Sequence, residues 1–305
     1  MRTVDVMIPV YKPGQQLGEL LTRLEKQTLR PENIFIVNTE EQYWDKALEK
    51  KHPLLQVTHI SKSEFDHGGT RKQMALQSKA DVMVFMTQDA VPKNMYLLER
   101  LVRPLEEKQV GASYARQLPA KGCRPAEAFA RKFNYPLQSM RKSKEDIRRL
   151  GIKACFCSNV CAAYDRDIYE QLGGFVSSTI FNEDMIFARK LIEEGYQIAY
   201  EADACVIHSH NYTCMQQLRR NFDLGVSQAQ YPESFAGLSS EGEGIRMVKK
   251  TILFLLKSKR PWQIPGTVLQ SGFKYVGYLL GKHYKSLPFG LIKLFSMNKN
   301  YWREK

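Results

Sequence analysis

The chain of 305 residues predicts an α/β fold with a mostly parallel central sheet flanked by helices. Two observations carry that expectation. Short apolar, β-branched runs alternate with helical patterns, which implies right-handed crossovers and parallel pairing. The best of these runs, Asp81-Val82-Met83-Val84-Phe85-Met86-Thr87-Gln88-Asp89, is apolar without alternation, as a strand covered on both faces is. It stops on a carboxylate, so Asp89 is expected at the carboxyl edge of the sheet, where open α/β folds bind ligands.

Each element follows in order. Val4 to Val10 reads as a strand closed by Pro9, Tyr11, Lys12 and Pro13, and Leu17, Leu20, Leu21 and Leu24 then recur at helical spacing. Asn33 to Asn38 is a second strand and Gln56 to Ile60 a weaker third. After Gly68-Gly69 a helix is expected from Thr70 to Lys79, before the strand that ends at Asp89. A helix over Leu97 to Glu107 and a strand over Val110 to Arg116 come next. Ser139 to Arg149 carries five basic and two acidic residues and reads as a mobile loop or short helix. Val160 to Tyr164 is a strand, Gly173-Gly174 a turn, and Asp184 to Glu194 a helix with Met185, Ala188, Leu191 and Ile192 on one face. Short strands at Gln197 to Tyr200 and Ala204 to His208 precede a helix marked by Leu218, Phe222 and Val226.

A hydrophobic fraction of 43% excludes a disordered chain. Of the formal charge of +13, the segment from Ile245 to Lys305 holds +12, with thirteen Lys/Arg against Glu304. A nearly neutral body with a basic tail points to an anionic surface as partner. In that tail Val248, Ile252, Leu255 and Leu256 form one apolar face, and Leu269, Phe273, Val276 and Leu280 another. Neither run reaches the roughly 18 apolar residues of a spanning helix, so the tail is expected to lie on a membrane, the alternative being that its faces pack on the body. No nucleic-acid module is present, and nucleic acid is not an expected partner. The N-terminus enters a strand without the apolar run of a signal peptide, so a cytoplasmic location is expected. The six cysteines are then free thiols; Cys155, Cys157 and Cys161 lack paired CxxC spacing and read as small core residues, not zinc ligands.

Three constellations carry chemistry. Pro9-Val10-Tyr11, Asn38, Phe65-Asp66-His67-Gly68-Gly69-Thr70-Arg71 and Thr87-Gln88-Asp89 all follow strands or open the next helix, where they can converge on one ligand. The glycines allow close backbone approach and the helix start offers free N–H groups, which suits a nucleotide diphosphate. Taken singly, Asp66 can be a helix cap, Asn38 a turn residue and Arg71 an exposed first-turn residue. No GxGxxG follows a strand and no GxxxxGK[ST] occurs, against a dinucleotide dehydrogenase or a P-loop enzyme. The second constellation is Phe181-Asn182-Glu183-Asp184, whose carboxylates either cap a helix or supply a general base. The third is His208-Ser209-His210, where one imidazole either completes a metal site with Asp89 or is an ordinary loop histidine.

Together, the N-terminal strand with Pro9 and Tyr11, the strand-end Asp89, Gly173-Gly174-Phe175, Glu183-Asp184 and His208 resemble the family 2 glycosyltransferases with the GT-A fold, over roughly residues 3 to 230. The segment Phe65 to Arg71 with Thr87-Gln88-Asp89-Ala90 resembles the bacterial rhamnosyltransferase branch. The resemblance implies a catalytic domain over residues 1–235 and a basic amphipathic helical region over 236–305. It implies Asp184 as catalytic base with Glu183 beside it, and donor-nucleotide contacts from Pro9, Tyr11, Asn38, Asp66, Arg71, Gln88 and Asp89. Asp89 and His208 would hold Mg²⁺ or Mn²⁺. Gln88 stands where the family often has an acid that touches the ribose hydroxyls, a departure that suits a deoxyribose donor, and Asn38 stands where an acid often reads the pyrimidine. The implied reaction is inverting transfer of L-rhamnose from dTDP-rhamnose to a growing, lipid-linked surface polysaccharide by an enzyme peripheral on the inner face of the cell membrane. Alternatives are another donor such as a UDP-hexose, a sugar nucleotidyltransferase, or a noncatalytic membrane-bound scaffold.

Overall fold

A computed structural model describes residues 2–238 and 241–302. Arg303, Glu304 and Lys305 of the basic tail lie outside the described residues. The chain divides into two compact units: Met1–Leu118, Tyr135–Ser178 and Glu183–His208 form the first, and Pro119–Asn134, Thr179–Asn182 and Ser209–Lys305 the second. The strands are β1 (Val4–Tyr11), β2 (Asn33–Thr39), β3 (Leu55–Ile60), β4 (Val82–Met86), β5 (Val91–Pro92), β6 (Val110–Leu118), β7 (Met140–Lys142), β8 (Cys161–Asp165) and β9 (Gln197–Ile207). The longer helices are α1 (Gln15–Glu25), α2 (His67–Gln77), α3 (Pro125–Asn134), α4 (Glu183–Glu193), α5 (Cys214–Gln230), α6 (Glu241–Lys257), α7 (Ile264–Lys282) and α8 (Phe289–Phe295).

In the first unit the nine strands of the described residues join one sheet in the order β3-β2-β1-β4-β8-β6-β9-β5, with β7 also on β9. Parallel pairing runs unbroken through β3-β2-β1-β4. Beyond β4 the sheet is mixed, because β8 inserts antiparallel between β4 and β6 while β6 and β9 are parallel. Strand direction leaves no mark on an apolar run, so the Cys161–Tyr164 pattern could not disclose this reversal. The α1 leucines, Leu17, Leu20, Leu21 and Leu24, are at most 1% exposed against Val6, Ile8, Ile34 and Ile36 of the sheet. At about 1.5–3 kcal/mol for each large apolar side chain, this face alone fixes α1 in place.

An aromatic cluster of Phe85, Tyr164, Tyr169, Phe175 and Phe187 also packs in this unit, with ring centroids 5.0–6.4 Å apart. It explains the Gly-Gly-Phe turn. Gly174 has φ +66°, and a Cβ there would lie 2.7 Å from the Tyr169 ring. The bare backbone lets Phe175 fold back, fully buried, with its N–H donating to Tyr169 Oη at 3.0 Å.

Several boundaries differ from the sequence reading for local reasons. Helix α2 starts at His67, because Asp66 is its N-cap and accepts from the Gly69 N–H. Strand β4 ends at Met86, and Thr87 to Asp89 turn, with Ala90 N–H donating to Thr87 O at 3.1 Å. The helix over Leu97–Val102 tightens to a 3₁₀ turn over Arg103–Glu106 at Pro104. The two short strands expected after Gln197 are one strand, β9, whose register against β6 breaks between Glu201 and Cys205. That bulge is the gap in the apolar pattern.

In the second unit α5 and α7 cross with their backbones nearly touching. A Cβ at Gly277 would lie 2.2 Å from Leu218 O, and one at Gly281 2.1 Å from Phe222 O, so only glycine fits at this seam. The apolar face expected at Leu269, Phe273, Val276 and Leu280 is not the buried stripe: Leu269 is 56% and Val276 48% exposed, while the glycines face α5. Phe222 and Val226 pack with Ile180 and Ile292 in a small core. Asp223 ties down the chain after α8, accepting from Ser296 Oγ at 2.7 Å, Met297 N at 3.0 Å and Asn298 N at 3.1 Å. On α6, Leu255 is buried and Leu256 exposed, and Phe254 stacks on Phe129 of α3. No helix among the described residues is long and apolar enough to cross a membrane.

Candidate active site

The chain leaves β1 toward β2 on one side and later returns to β4 on the other, so the carboxyl ends of β1 and β4 flank a topological switch point. Residues expected around a donor lie at this edge. Pro9 is half-buried inside β1 opposite Val37, and Tyr11 is the last residue of the strand, 38% exposed. Its ring meets Tyr43 edge-on at 5.8 Å, and the Lys12 ammonium stands 4.7 Å over Tyr43. Asn38, near the end of β2, is fully buried. Its Nδ2 contacts His59 Nδ1 at 3.0 Å and Glu40 O at 3.1 Å, leaving Oδ1 without a hydrogen bond.

Gln88 is engaged with the protein itself. Its Oε1 accepts from Tyr11 N at 2.9 Å and its Nε2 donates to Tyr11 O at 3.1 Å, clamping the loop after β1 to the loop after β4. Asp66 likewise spends Oδ1 on Gly69 N and on Ser178 N. Burial raises its pKa and those hydrogen bonds oppose the rise.

At the end of β9, His208 is buried, and its Nε2 lies 3.6 Å from Asp89 Oδ1. His208 Nδ1 lies 3.0 Å from Gln117 Oε1, an acceptor, so the ring proton belongs on Nδ1 and Nε2 turns a lone pair toward the carboxylate. Two electron-pair donors facing each other fit a proton or a hard divalent cation between them, and carboxylate with imidazole suits Mg²⁺ or Mn²⁺. Gln117 fixes the ring as an outer partner does in metal sites.

The carboxylate pair opens α4 directly after Asn182, which sits in the left-handed region at φ 63°. Glu183 is 5% exposed and pairs with Arg71 of α2, Nη1 to Oε1 at 3.1 Å. Arg71 is itself 6% exposed and also donates to His67 O, so its guanidinium serves the α2–α4 junction. Asp184 keeps partial exposure and accepts from Asn159 N at 3.1 Å and Met185 N at 2.8 Å. Desolvation first, and the adjacent Glu183 charge second, push its pKa well above the usual carboxylate range; the two N–H donors and Arg71 oppose that. A carboxyl group so placed binds a proton at neutral pH far better than a free aspartate, the property of a general base.

Asn159 was invisible in the sequence reading. Besides holding Asp184, it donates from Nδ2 to Glu183 Oε1 at 3.2 Å and accepts from Tyr164 Oη at 2.9 Å. Gln117, Tyr43 and Lys12 were also missed. None stands in a motif, and only the fold brings each beside a residue that does.

Comparison with known proteins places the chain in a family. Residues 5–173 match the family described as glycosyl transferase family 2. The chain is 42% identical over 307 aligned residues to "O-antigen chain rhamnosyltransferase WbaN" of Salmonella anatum, covering 99% of this chain and 96% of that protein. It is 40% identical to "O-antigen chain rhamnosyltransferase RfbN" of Salmonella typhimurium, covering 98% and 96%. Among solved structures, a mannosyltransferase from Pyrobaculum calidifontis in complex with GDP-Man and Mn²⁺ superposes with a TM-score of 0.58 at 16% identity. The match covers 98% of this chain and 84% of that one, and is a likeness of fold.

Proposed function

The chain belongs to glycosyl transferase family 2, and from that premise we propose that it transfers L-rhamnose from dTDP-rhamnose, with inversion, to a growing O-antigen-type polysaccharide. The observation that carries this reading is the near full-length likeness to two O-antigen chain rhamnosyltransferases at 40–42% identity.

Tyr11 and Asn38 would bind the base and ribose of the donor, with Pro9 shaping the strand beneath them. Gln88 and Asp66 would act by holding the backbone of the surrounding loops, and Arg71 by fixing Glu183. An acceptor hydroxyl would attack the anomeric carbon from the face opposite the nucleotide. As the new C–O bond forms, the bond from that carbon to the diphosphate oxygen breaks and Asp184 takes the hydroxyl proton. Glu183, fixed by Arg71 and Asn159, holds up the proton affinity of its neighbour. A divalent cation bound by Asp89 and His208 would neutralise charge on the departing diphosphate. Positioning of donor and acceptor supplies the remainder.

The enzyme would work at the cytoplasmic face of the membrane, where a lipid-linked acceptor resides. Lys257, Lys259 and Arg260 are exposed beside Leu253 at 56% and Leu256 at 51% exposure, a pairing suited to an anionic bilayer surface. The direct test is a thermal-shift screen of dTDP-rhamnose, UDP-glucose, UDP-galactose and GDP-mannose with Mg²⁺. A clear rise with dTDP-rhamnose over the other three is expected. Preference for another donor would sink the rhamnose assignment.

A further inference from the structure

The second unit contains a cavity of about 390 Å³ near the amino ends of three helices: Arg124 to Glu127 at α3, Cys214 and Gln217 at α5, and Gly266, Thr267, Leu269 and Gln270 at α7. Its lining is rich in groups that both donate and accept. Gln217 and Gln263 bring side-chain amides, Asn211 and Gln270 brace the wall through hydrogen bonds to Gly122 O, Arg124 N and Tyr212 O, and the lining holds one charge of each sign, Arg124 and Glu127. Glu127 is further paired with Arg131 at 2.8 Å. On one wall His210 and Tyr212 stack, centroids 4.8 Å apart and planes 27° apart, giving a broad flat face.

Gln217 is the decisive residue. It is 6% exposed and lines the cavity, yet its side-chain amide makes no hydrogen bond to any described residue. The rest of the side chain is packed while the amide opens onto the cavity, so its donor and acceptor are available to a partner that enters from outside. A cavity without excess charge disfavours an anion as that partner. One lined by amides disfavours an acyl chain. An uncharged polyol with a C–H face satisfies the amides at its hydroxyls and the aromatic wall at its ring, and the volume lies at the small end of ligand sites, enough for about one or two sugar rings.

We propose that this cavity binds an uncharged saccharide of the acceptor glycan. That the saccharide belongs to the acceptor rests on the transferase reading above; that a saccharide binds does not.

The test uses the full chain, saturation-transfer NMR with methyl glycosides of galactose, mannose and rhamnose, and a thermal shift with dTDP and Mg²⁺ as the donor-site readout. Two variants probe the cavity. Gln217→Leu removes the unpaired amide. Gly266→Leu fills the space, since a Cβ at Gly266 meets nothing within 4 Å, and it breaks no hydrogen bond of the protein, so it carries the test should Gln217→Leu fail to fold. At least one glycoside is expected to bind the natural chain and to bind either folded variant at least about five-fold more weakly, the equivalent of one lost hydrogen bond. The dTDP shift should persist. Absence of binding by all three glycosides, unchanged binding in Gly266→Leu, or displacement by millimolar inorganic phosphate would overturn the proposal. Glycoside binding that responds to the variants, in a chain that shows no dTDP shift, would instead sink the donor reading and leave the pocket standing.

Discussion

Replacing Arg71 by methionine asks whether the Glu183–Asp184 pair is held by charge. The guanidinium stands 3.1 Å from Glu183 Oε1, with side-chain exposures of 7% and 6%. Methionine keeps much of the buried hydrocarbon and deletes the charge. Removing one partner of a buried ion pair costs about 3–5 kcal/mol, because the other keeps its desolvation without compensation. Here a second carboxylate follows immediately, and Arg71 also lowers the proton affinity of Asp184. Asp184 already binds its proton more tightly when folded than when unfolded. The stability linked to that proton is therefore present at low pH and lost as pH rises through the folded-state value. The variant raises that value further. Its penalty should be about 3–5 kcal/mol at pH 8.5 and smaller by at least about 1 kcal/mol at pH 5, where a proton replaces the missing cation. Urea unfolding followed by circular dichroism at the two pH values measures both quantities. Equal penalties at both, or a penalty under about 1 kcal/mol at pH 8.5, would mean that Arg71 contributes packing and not charge.

Other expectations concern the same chemistry and the tail. Asp184→Asn should lower transfer by roughly 10²–10⁴-fold while dTDP binding is largely kept, and near-normal turnover would remove Asp184 as base. Asp89→Ala should weaken dTDP binding in the presence of Mn²⁺ at least about ten-fold by titration calorimetry, with little change when Mn²⁺ is omitted. An unchanged isotherm with Mn²⁺ would refute the metal assignment. Reversing Lys257, Lys259 and Arg260 to glutamate should reduce sedimentation with anionic liposomes about a hundred-fold or more, at about 1 kcal/mol for each basic residue near the surface. Undiminished sedimentation would place the docking surface elsewhere. Point variants serve better than removal of Ile245 to Lys305, because a deletion strips α7 from its seam with α5.

What the sequence disclosed and what it hid divide along physical lines. Apolar runs located β1, β2, β4 and the leucine face of α1, because burial on both faces leaves an unbroken pattern. Glu183 and Asp184 were legible through their position after Asn182 at a helix start. The direction of β8 was not, since antiparallel and parallel strands use the same side chains. Partners also escaped: Arg71 was expected beside the donor nucleotide and pairs with Glu183, across more than a hundred residues of chain. Gln88 was expected near a ribose and binds the backbone of Tyr11. The packed side of α7 was missed because it is made of Gly277 and Gly281, which add nothing to an apolar count.

The glycine seam divides labour along a single helix. Gly277 and Gly281, in the carboxyl half of α7, leave no freedom for change, because the α5 backbone already occupies the space of any side chain. Gly266, Thr267 and Gln270, in the amino half, face open cavity. One end is an anchor and the other a writable surface. Gly266 can therefore take a side chain without shifting the helix that carries it, whereas Gln270, which holds Tyr212 O at 2.8 Å, sets the wall and has to stay.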